Sequence, residues 1–585
     1  IKGQVFLGNI SNEQRPVPPR EIKPNLSKRF YADCESCVSN GKHSLFLLGF
    51  TSEEKDAVHI LNFANLKPKS FQNTISTFLN TMTDDGTNNA TVYFHNLKYD
   101  YALLEPYLNI QSTCKKDNNL YSVKVIYKNK QIEFRDSFKI APMSLSKFCF
   151  ELPEGLDKMD AINYSYYTPE NATDTNVSTE MYSKGLKNDE LETFRKNTNN
   201  AKSFNPIAYY IEYLEMDCKV LKQGMIKFNN IIMDIDERLS IHNSLTISSL
   251  TDLYMNINGA YDGVFEQTGN LRDYISKAIY GGRVQANPKY IKKTITEKIA
   301  DYDGVSLYPS AISRLCSQFG LPTGGCVELD ISEPLSPSDY AIMTVEITSV
   351  GKKQDMPMLT QKNESSLDYI NTIPTGVVYI DNYTLQDYVE FHECEYKILQ
   401  GVVWKSKMGV KNGCMGLLIQ SLFRKRLENK EKNPALANIL KLMLNSSYGK
   451  CITKKESIQN RIVKRDAVHK DPITKELLTT PDGNFKKFVY KNFNTMKTVR
   501  IINSKLIEVE QLAVDTSFNR GQVGCAILSI SKRIMNEVFN TANTINAPVY
   551  YSDTDSIHMN HSDVKRLEEE FYKQYGRDLT GKNLG

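Results

Sequence analysis

Tryptophan is almost missing from this chain, with 1 in 585 residues, whereas tyrosine reaches 33. Stacking faces and buried hydroxyls therefore fall to tyrosine. No apolar run approaches the roughly 18 to 20 residues that cross a bilayer, which excludes a helical membrane span. The 11 cysteines are scattered singly. Only Cys34 and Cys37 lie close, and no second pair follows to complete a zinc site. A large chain with no visible secretory leader predicts reduced thiols in an intracellular setting: cytoplasm, a host-cell compartment or a mitochondrion. The first residue is Ile1 rather than Met, so a targeting segment falls outside the reading. A net charge of +4 is too small to identify a nucleic-acid partner. Hydrophobic content of 41% and charged content of 24% are those of a soluble globular protein. The length sets a prior of about four domain-sized units.

What is present begins with acids. Val549 to Met559 reads as strand, tight turn, strand, with Asp553 and Asp555 at the turn. Two residues apart on extended chain, they project to one side. Adjacent carboxylates repel unless a cation lies between them, and hard divalent ions favour such oxygens. Alone, Asp-x-Asp is more often a turn whose side chains bond their own backbone. A third acid, Asp303, ends the short strand pattern 299–303 and precedes a helix-like run, the arrangement that assembles a two-metal site. Between them, 438–450 has helical spacing, with Lys441, Asn445 and Tyr448 on one face. A cation, an amide and a ring on one face suit a triphosphate, a base and a sugar.

Asp-x-x-Ser-Leu-Tyr-Pro, Lys-x-x-x-Asn-Ser-x-Tyr-Gly and Tyr-x-Asp-Thr-Asp-Ser occur here in that order. Together they resemble the family B DNA polymerases, and the longer matches resemble the protein-primed branch of phages, adenoviruses, linear plasmids and related mobile elements. The resemblance implies that Asp303 and Asp555, supported by Asp553, hold two Mg2+ ions, with Mn2+ as a substitute. It implies that Lys441 binds the triphosphate, joined by one of Arg424, Lys425 and Arg426. Tyr308 would lie under the incoming sugar and exclude a 2′-hydroxyl. Asn445, Tyr448 and Gly449 would shape the nascent base-pair pocket.

Upstream, Asp33, Glu35, Asp100 and Asp217 lie in a region of alternating strand and helix signals, and as a set they suit two metals and an activated water. Tyr213 is one helical turn before Asp217 and is placed to orient that water. Asp-x-Glu, Asn-x-x-x-Asp and Tyr-x-x-x-Asp resemble the family's 3′–5′ proofreading exonuclease. The resemblance implies that Ser36, Asn96, Tyr99, Ser137 and Phe138 grip the single-stranded 3′ end, and that Lys158 is the catalytic lysine of this branch. In Ala278 to Arg283, Gly281 and Gly282 permit close backbone approach to a ligand, and Arg283 adds charge for DNA. The family has Tyr-x-Gly-Gly here, whereas Ile279 takes the Tyr position and Tyr280 follows it.

Several expectations follow. Residues 1–29 form an irregular arm, 30–238 a ribonuclease-H-like exonuclease domain, and 239–315 the first part of a right-hand polymerase palm. Residues 316–398 form an insertion that the resemblance assigns to terminal-protein contact. Fingers occupy 399–450 as a helical hairpin broken by Pro434. A second insertion spans 451–520; between Lys450 and Lys505 it carries fourteen Lys or Arg against five Asp or Glu, and the resemblance assigns it to encircling DNA and to strand displacement. Residues 521–585 complete the palm, with Lys532 and Arg533 offered to backbone phosphates. The fold class is thus multidomain α/β and α+β, with the family's thumb missing from this stretch. Residues 170–205, rich in Asn, Thr and Lys, are expected to bury little. The implied function is a DNA-directed DNA polymerase with proofreading. Its expected partners are template, primer, dNTPs and a terminal protein, with no membrane and as a monomer. The alternatives are a nucleic-acid-primed family B replicase, and a DNA-binding or exonuclease protein with a silent polymerase half.

Overall fold

The computed structural model describes residues 10–83, 89–148, 159, 161–363, 366–406, 411–453, 456–465, 468–470, 477–479, 484–514 and 517–584. The chain forms two compact units. One comprises residues 1–21, 251–454 and 516–585; the other comprises 22–250 and 455–515. No described helix is long and apolar enough to cross a membrane, and the ten described cysteines are all free thiols.

The first unit is built on a four-stranded antiparallel sheet, in the order Val284–Ala286, Val549–Asp553, Ser556–Asn560, Ile299–Asp303. Its inner face is the alternate set of apolar residues, including Val549, Ile557 and Met559. These pack on Met535, Val538 and Phe539 of the helix Gly521–Thr544 and on Leu307 of the helix Leu307–Gln318. Asp303 alternates with Ala300 and Tyr302, which pack on that core, while a register shift between Val549 and Tyr551 interrupts the alternation ahead of Asp553.

Two antiparallel helices, Cys414–Asn429 and Pro434–Ser446, pack on one another. Pro434 does not break a helix. It opens the second one, where its missing N–H costs nothing, and the Asn433 side chain caps the Leu436 amide. A second sheet, ordered Val327–Glu328, Cys394–Trp404, Tyr340–Val350, Val378–Asp381, carries the helix Asn382–His392 and encloses its own core. Tyr280 belongs to that core.

The N-terminal arm is fastened rather than loose. Gln14–Pro16 pairs with Phe265–Gln267, and the Glu13 carboxylate accepts from the Leu271 amide at 2.7 Å. Further on, Arg20 and the buried Arg520 both donate to Asp252, at 2.7 and 2.5 Å, and the Tyr261 hydroxyl donates at 3.0 Å.

The second unit carries a ten-stranded mixed sheet. The strand Lys28–Ser39 runs parallel to Asn89–Phe94, which runs parallel to Lys130–Asp136. Antiparallel strands extend the sheet on both sides. Residues 455–515 join it: Glu456–Lys464 meets Ile110–Lys116 through Gln459 and Lys116, and Leu506–Val514 and Met496–Ile501 follow. A 30-residue helix, Pro206–Ile235, packs on the strands Lys28–Ser39 and Lys42–Ser52 towards one edge of the sheet; the Asn205 side chain caps it and Pro206 takes its first position.

The segment 170–205 departs from expectation. Tyr182 and Phe194 are fully buried there and pack with Phe204 and Tyr209 in an aromatic cluster. A few large rings outweigh the polar average of a composition window.

Asp252 is the counter-charge of a guanidinium with almost no exposed surface. Replacing it with Ala strands that charge, so Asp252→Ala is expected to lower unfolding stability by about 3–5 kcal/mol, read as the shift in denaturation midpoint of the full chain.

Candidate functional sites

Asp553 and Ser556 pair across the hairpin, leaving Thr554 and Asp555 as a two-residue loop. Loops this short favour a left-handed residue, usually Gly, at the first position. Here Thr554 takes it, at φ +58°. A β-branched residue in that region costs on the order of 1–3 kcal/mol, so something must hold it. Three backbone bonds do: Thr554 N–H donates to Arg283 O, Asp555 N–H to Asp553 O, and Gly304 N–H to Asp555 O, each at 2.6 Å. The last brings the end of the Asp303 strand against the turn, where Asp303 pairs with Ser556. Gly282 is required beside it: an added Cβ would sit 2.6 Å from Thr554 Oγ1.

The end of the Asp303 strand therefore lies against the Asp555 turn, though among the described residues these three carboxylates are not drawn as close as the acids of the second unit. Partial burial, then Asp303 and Asp553, raise the Asp555 carboxyl above the ordinary range. Like charges so placed repel unless a cation lies between them, and an all-oxygen donor set suits a hard divalent ion. A cleft of about 580 Å³ opens at the turn, lined by Asp553, Asp555, Tyr308, Asn445 and Tyr448 among others. The Tyr308 and Tyr448 rings lie 4.4 Å apart. Lys441 is exposed one turn before Asn445, and Arg424 is exposed while Arg426 is half-buried. Gly449 is exposed too, and a Cβ added there would meet nothing within 4 Å.

Three cations offered to DNA by the sequence are committed elsewhere. Arg283 is 4% exposed, between the rings of Tyr369 and Phe539. Lys532 is half-buried and donates to Tyr280 O at 3.0 Å; burial pushes its ammonium down to about 8. Arg533 pairs with the buried Asp387 at 2.6 Å. Gly281 is exposed.

In the second unit, Asp33, Glu35 and Asp217 place carboxylate oxygens all within 4.8 Å of one another. Glu35 and Asp217 are buried. Asp100 lies beside them, 2% exposed, accepting from the Cys34 amide at 3.0 Å. Burial first, and then Asp33, raise its carboxyl well above the ordinary range. Three acids in such a space, with Asp100 beside them, are unstable as anions without a cation, and the geometry of the three fits one.

Tyr213 is buried, and its hydroxyl meets that of Tyr164 at 3.0 Å. Burial, then Asp217 and Glu35, push its phenol far up, so the hydroxyl keeps its proton. Tyr210, three residues earlier on the same helix, donates to Glu35 Oε2 at 2.6 Å. Sequence reasoning missed both Tyr210 and Tyr164, although the interval from Tyr210 to Asp217 is two helical turns and a signal the sequence carries.

Ser36 Oγ and Tyr99 OH are 2.6 Å apart, and His43 Nδ1 lies 3.0 Å from each. Tyr99 remains 42% exposed. Asn96 is exposed and left-handed at φ +70°, its amide donating to Asp136. Phe138 is half-buried with its ring edge-on to His95. Ser137 corrects the sequence reading: it is fully buried, donating to Phe94 O at 3.0 Å, and presents nothing to a strand. Lys158 lies outside the described residues.

The family described as DNA polymerase type B, organellar and viral, matches residues 83–531. A probable DNA polymerase of Agaricus bitorquis is 23% identical over 470 residues, covering 73% of this chain and 53% of that protein. The DNA polymerase of Streptococcus phage Cp-1 is 20% identical over 390 residues, covering 63% of this chain and 60% of that protein. The chain thus spans little more than half the length of these curated relatives. Among solved structures, phi29 DNA polymerase complexed with primer-template DNA and incoming nucleotides aligns over 92% of this chain and 81% of its own, with a TM-score of 0.59 at 15% identity. That likeness concerns the fold. The family match covers most of the chain, and on it the chain belongs to the type B DNA polymerases of organelles and viruses.

Proposed function

We propose that this chain is a template-directed DNA polymerase with a 3′–5′ proofreading exonuclease, using a protein primer. The observation that carries the proposal is the cleft in which Asp553 and Asp555 face Tyr308, Asn445 and Tyr448. Its substrates are template, primer and dNTPs, the partners that phi29 DNA polymerase holds in its ternary complex. Protein priming, which joins the first nucleotide to a hydroxyl of a terminal protein, rests on the motif resemblance, as does a monomeric state.

Asp303 and Asp555 with Asp553 in support, and Asp33, Glu35 and Asp217 with Asp100 behind, would hold magnesium, which when bound would acidify a hydroxyl or water and neutralise developing phosphate charge. The remaining work is positioning. Tyr308, against Tyr448, forms the floor for the incoming sugar and leaves no room for a 2′-hydroxyl. Asn445 and Gly449 border the base pair, while Lys441 offers its charge to the triphosphate. In the second unit Ser36, Tyr99 and Asn96 hold a frayed 3′ end. Tyr213 keeps its proton and orients the attacking water by donation. Tyr210 fixes the Glu35 carboxylate.

Primer extension on a single-stranded template tests the polymerase. Asp303→Asn and Asp555→Asn are each expected to cut incorporation by more than about a hundredfold, exceeding the loss typical of an outer-shell partner, while excision of a mismatched 3′ end persists. Equal incorporation by wild type and Asp555→Asn refutes the assignment. Asp33→Ala is expected to reverse the pattern.

Asp100 gives a stability test with a defined sign. Its folded pKa is raised above the unfolded one. The metal-free native state is therefore penalised above the folded pKa, and the penalty fades as pH falls towards the ordinary aspartate range. Asp100→Asn removes the charge and keeps an acceptor for Cys34. In metal-free protein at neutral pH it is expected to raise the unfolding midpoint of this unit, with the gain shrinking on acidification, while excision is lost. A variant less stable than wild type under those conditions contradicts the reading.

A further inference from the structure

Beneath the Asp553–Asp555 turn lies a small cavity of about 10 Å³, lined by Arg283, Ser531, Lys532, Ser552 and Thr554 with apolar neighbours. Its lining surface is mostly apolar, with a few polar atoms. Arg283 is 4% exposed and Ser552 is 1% exposed. The Nε and Nη1 donors of Arg283 have no hydrogen-bond partner, nor does Ser552 Oγ. The Tyr369 hydroxyl stands near the guanidinium and interacts with it electrostatically, but outside hydrogen-bond geometry, and Tyr369 does not line the cavity. The other neighbours are already committed: Lys532 Nζ donates to Tyr280 O, Ser531 Oγ donates to Leu528 O, and Asp387 accepts from Arg533 and Asn536. The rings of Tyr369 and Phe539 hold the guanidinium, with its carbon 4.6 and 5.1 Å from their centroids, but ring faces do not satisfy in-plane N–H donors. A buried unpaired donor costs about 1–3 kcal/mol. The cavity has the minimum size for one water, roughly 10–15 Å³, and offers more than the two polar partners a water needs.

We propose that one buried water in this cavity bridges the Arg283 guanidinium to Ser552 Oγ, and that Arg283 is thereby a positioning residue for Asp553 and Asp555. The proposal rests on the metal reading of the turn. Ser552 is the strand residue immediately before Asp553, and the carbonyl of Arg283 holds the Thr554 amide. Arg283 thus grips the turn twice: through its backbone from the side, and through the water from below. Both grips oppose the strain of a left-handed threonine. If either slips, the two carboxylates change their angle towards a shared cation.

The test uses the full chain carrying Asp33→Ala and Glu35→Ala, which silences the other acidic cluster. Binding of Mn2+ alone is followed by the loss of its free electron paramagnetic resonance signal, and Mg2+-dependent primer extension is measured alongside. Ser552→Ala and Arg283→Met are each expected to raise the Mn2+ and Mg2+ concentrations at half-saturation by about tenfold, the scale of outer-shell substitutions. The KM for dNTP stays put, because Tyr308, Asn445 and Tyr448 do not line the cavity. The double variant is no weaker than either single one, as a shared bridge demands. Half-saturation that is unchanged in Ser552→Ala, or additive effects in the double variant, overturns the proposal. Should Arg283→Met fail to fold, Ser552→Ala decides alone. A parent protein that binds no Mn2+ fails the metal reading itself and takes this proposal with it.

Discussion

Repulsion between carboxylates is the constraint on which the rest of this chain is built. Each unit spends much of its architecture bringing acids together that would separate in a relaxed polypeptide. In the first unit the means is a strained two-residue turn, pinned by three backbone hydrogen bonds and crowded by a glycine that can carry no side chain. In the second it is burial: Asp100 and Asp217 are sealed between a sheet and a long helix, with almost no surface exposed. Either device works against electrostatics in the absence of a cation, which is why each reads as a site and not as a decorated surface.

The two solutions differ in a way that matches their expected substrates. The turn acids sit at the rim of an open cleft of about 580 Å³, and Asp303 and Asp553 are exposed. A base-paired terminus with an incoming triphosphate is bulky and arrives from solvent. The second cluster lies deeper, behind the exposed Tyr99 ring and the Ser36 hydroxyl. On the exonuclease reading proposed above, that depth favours a frayed single strand over a duplex.

Much of the acidic framework was legible because it is local. Asp-x-Asp in a hairpin, an acid at a strand end, and a Tyr one turn before an Asp need only the periods of strand and helix. Cations were read less well. Arg283, Lys532 and Arg533 look in the sequence like a basic surface, yet all three turn inward to rings, a carbonyl and Asp387. Charge alone does not say which way a side chain faces; only the partner does. The partners of Lys532 and Arg533 lie 252 and 146 positions away, beyond any window of periodicity. Ser137 failed for the same reason, its acceptor being a carbonyl on a neighbouring parallel strand. The 170–205 segment failed through averaging, since Tyr182 and Phe194 were outvoted by their polar neighbours.

The inward-facing cations also explain how a strained turn is kept without a rigid loop. A threonine at φ +58° relaxes unless its surroundings forbid the alternatives. Glycine in its place would remove the strain but also the Thr554 side chain that lies close over Gly282. The chain instead accepts the strain and buries a guanidinium beneath it, clamped between two rings supplied by different elements, Tyr369 of the hairpin strand Leu367–Ile370 and Phe539 of the helix Gly521–Thr544. The geometry of the turn acids is thereby tied to the packing of that hairpin and the long helix together. The acids of the turn are thus tied to side chains that come from elements distant in sequence.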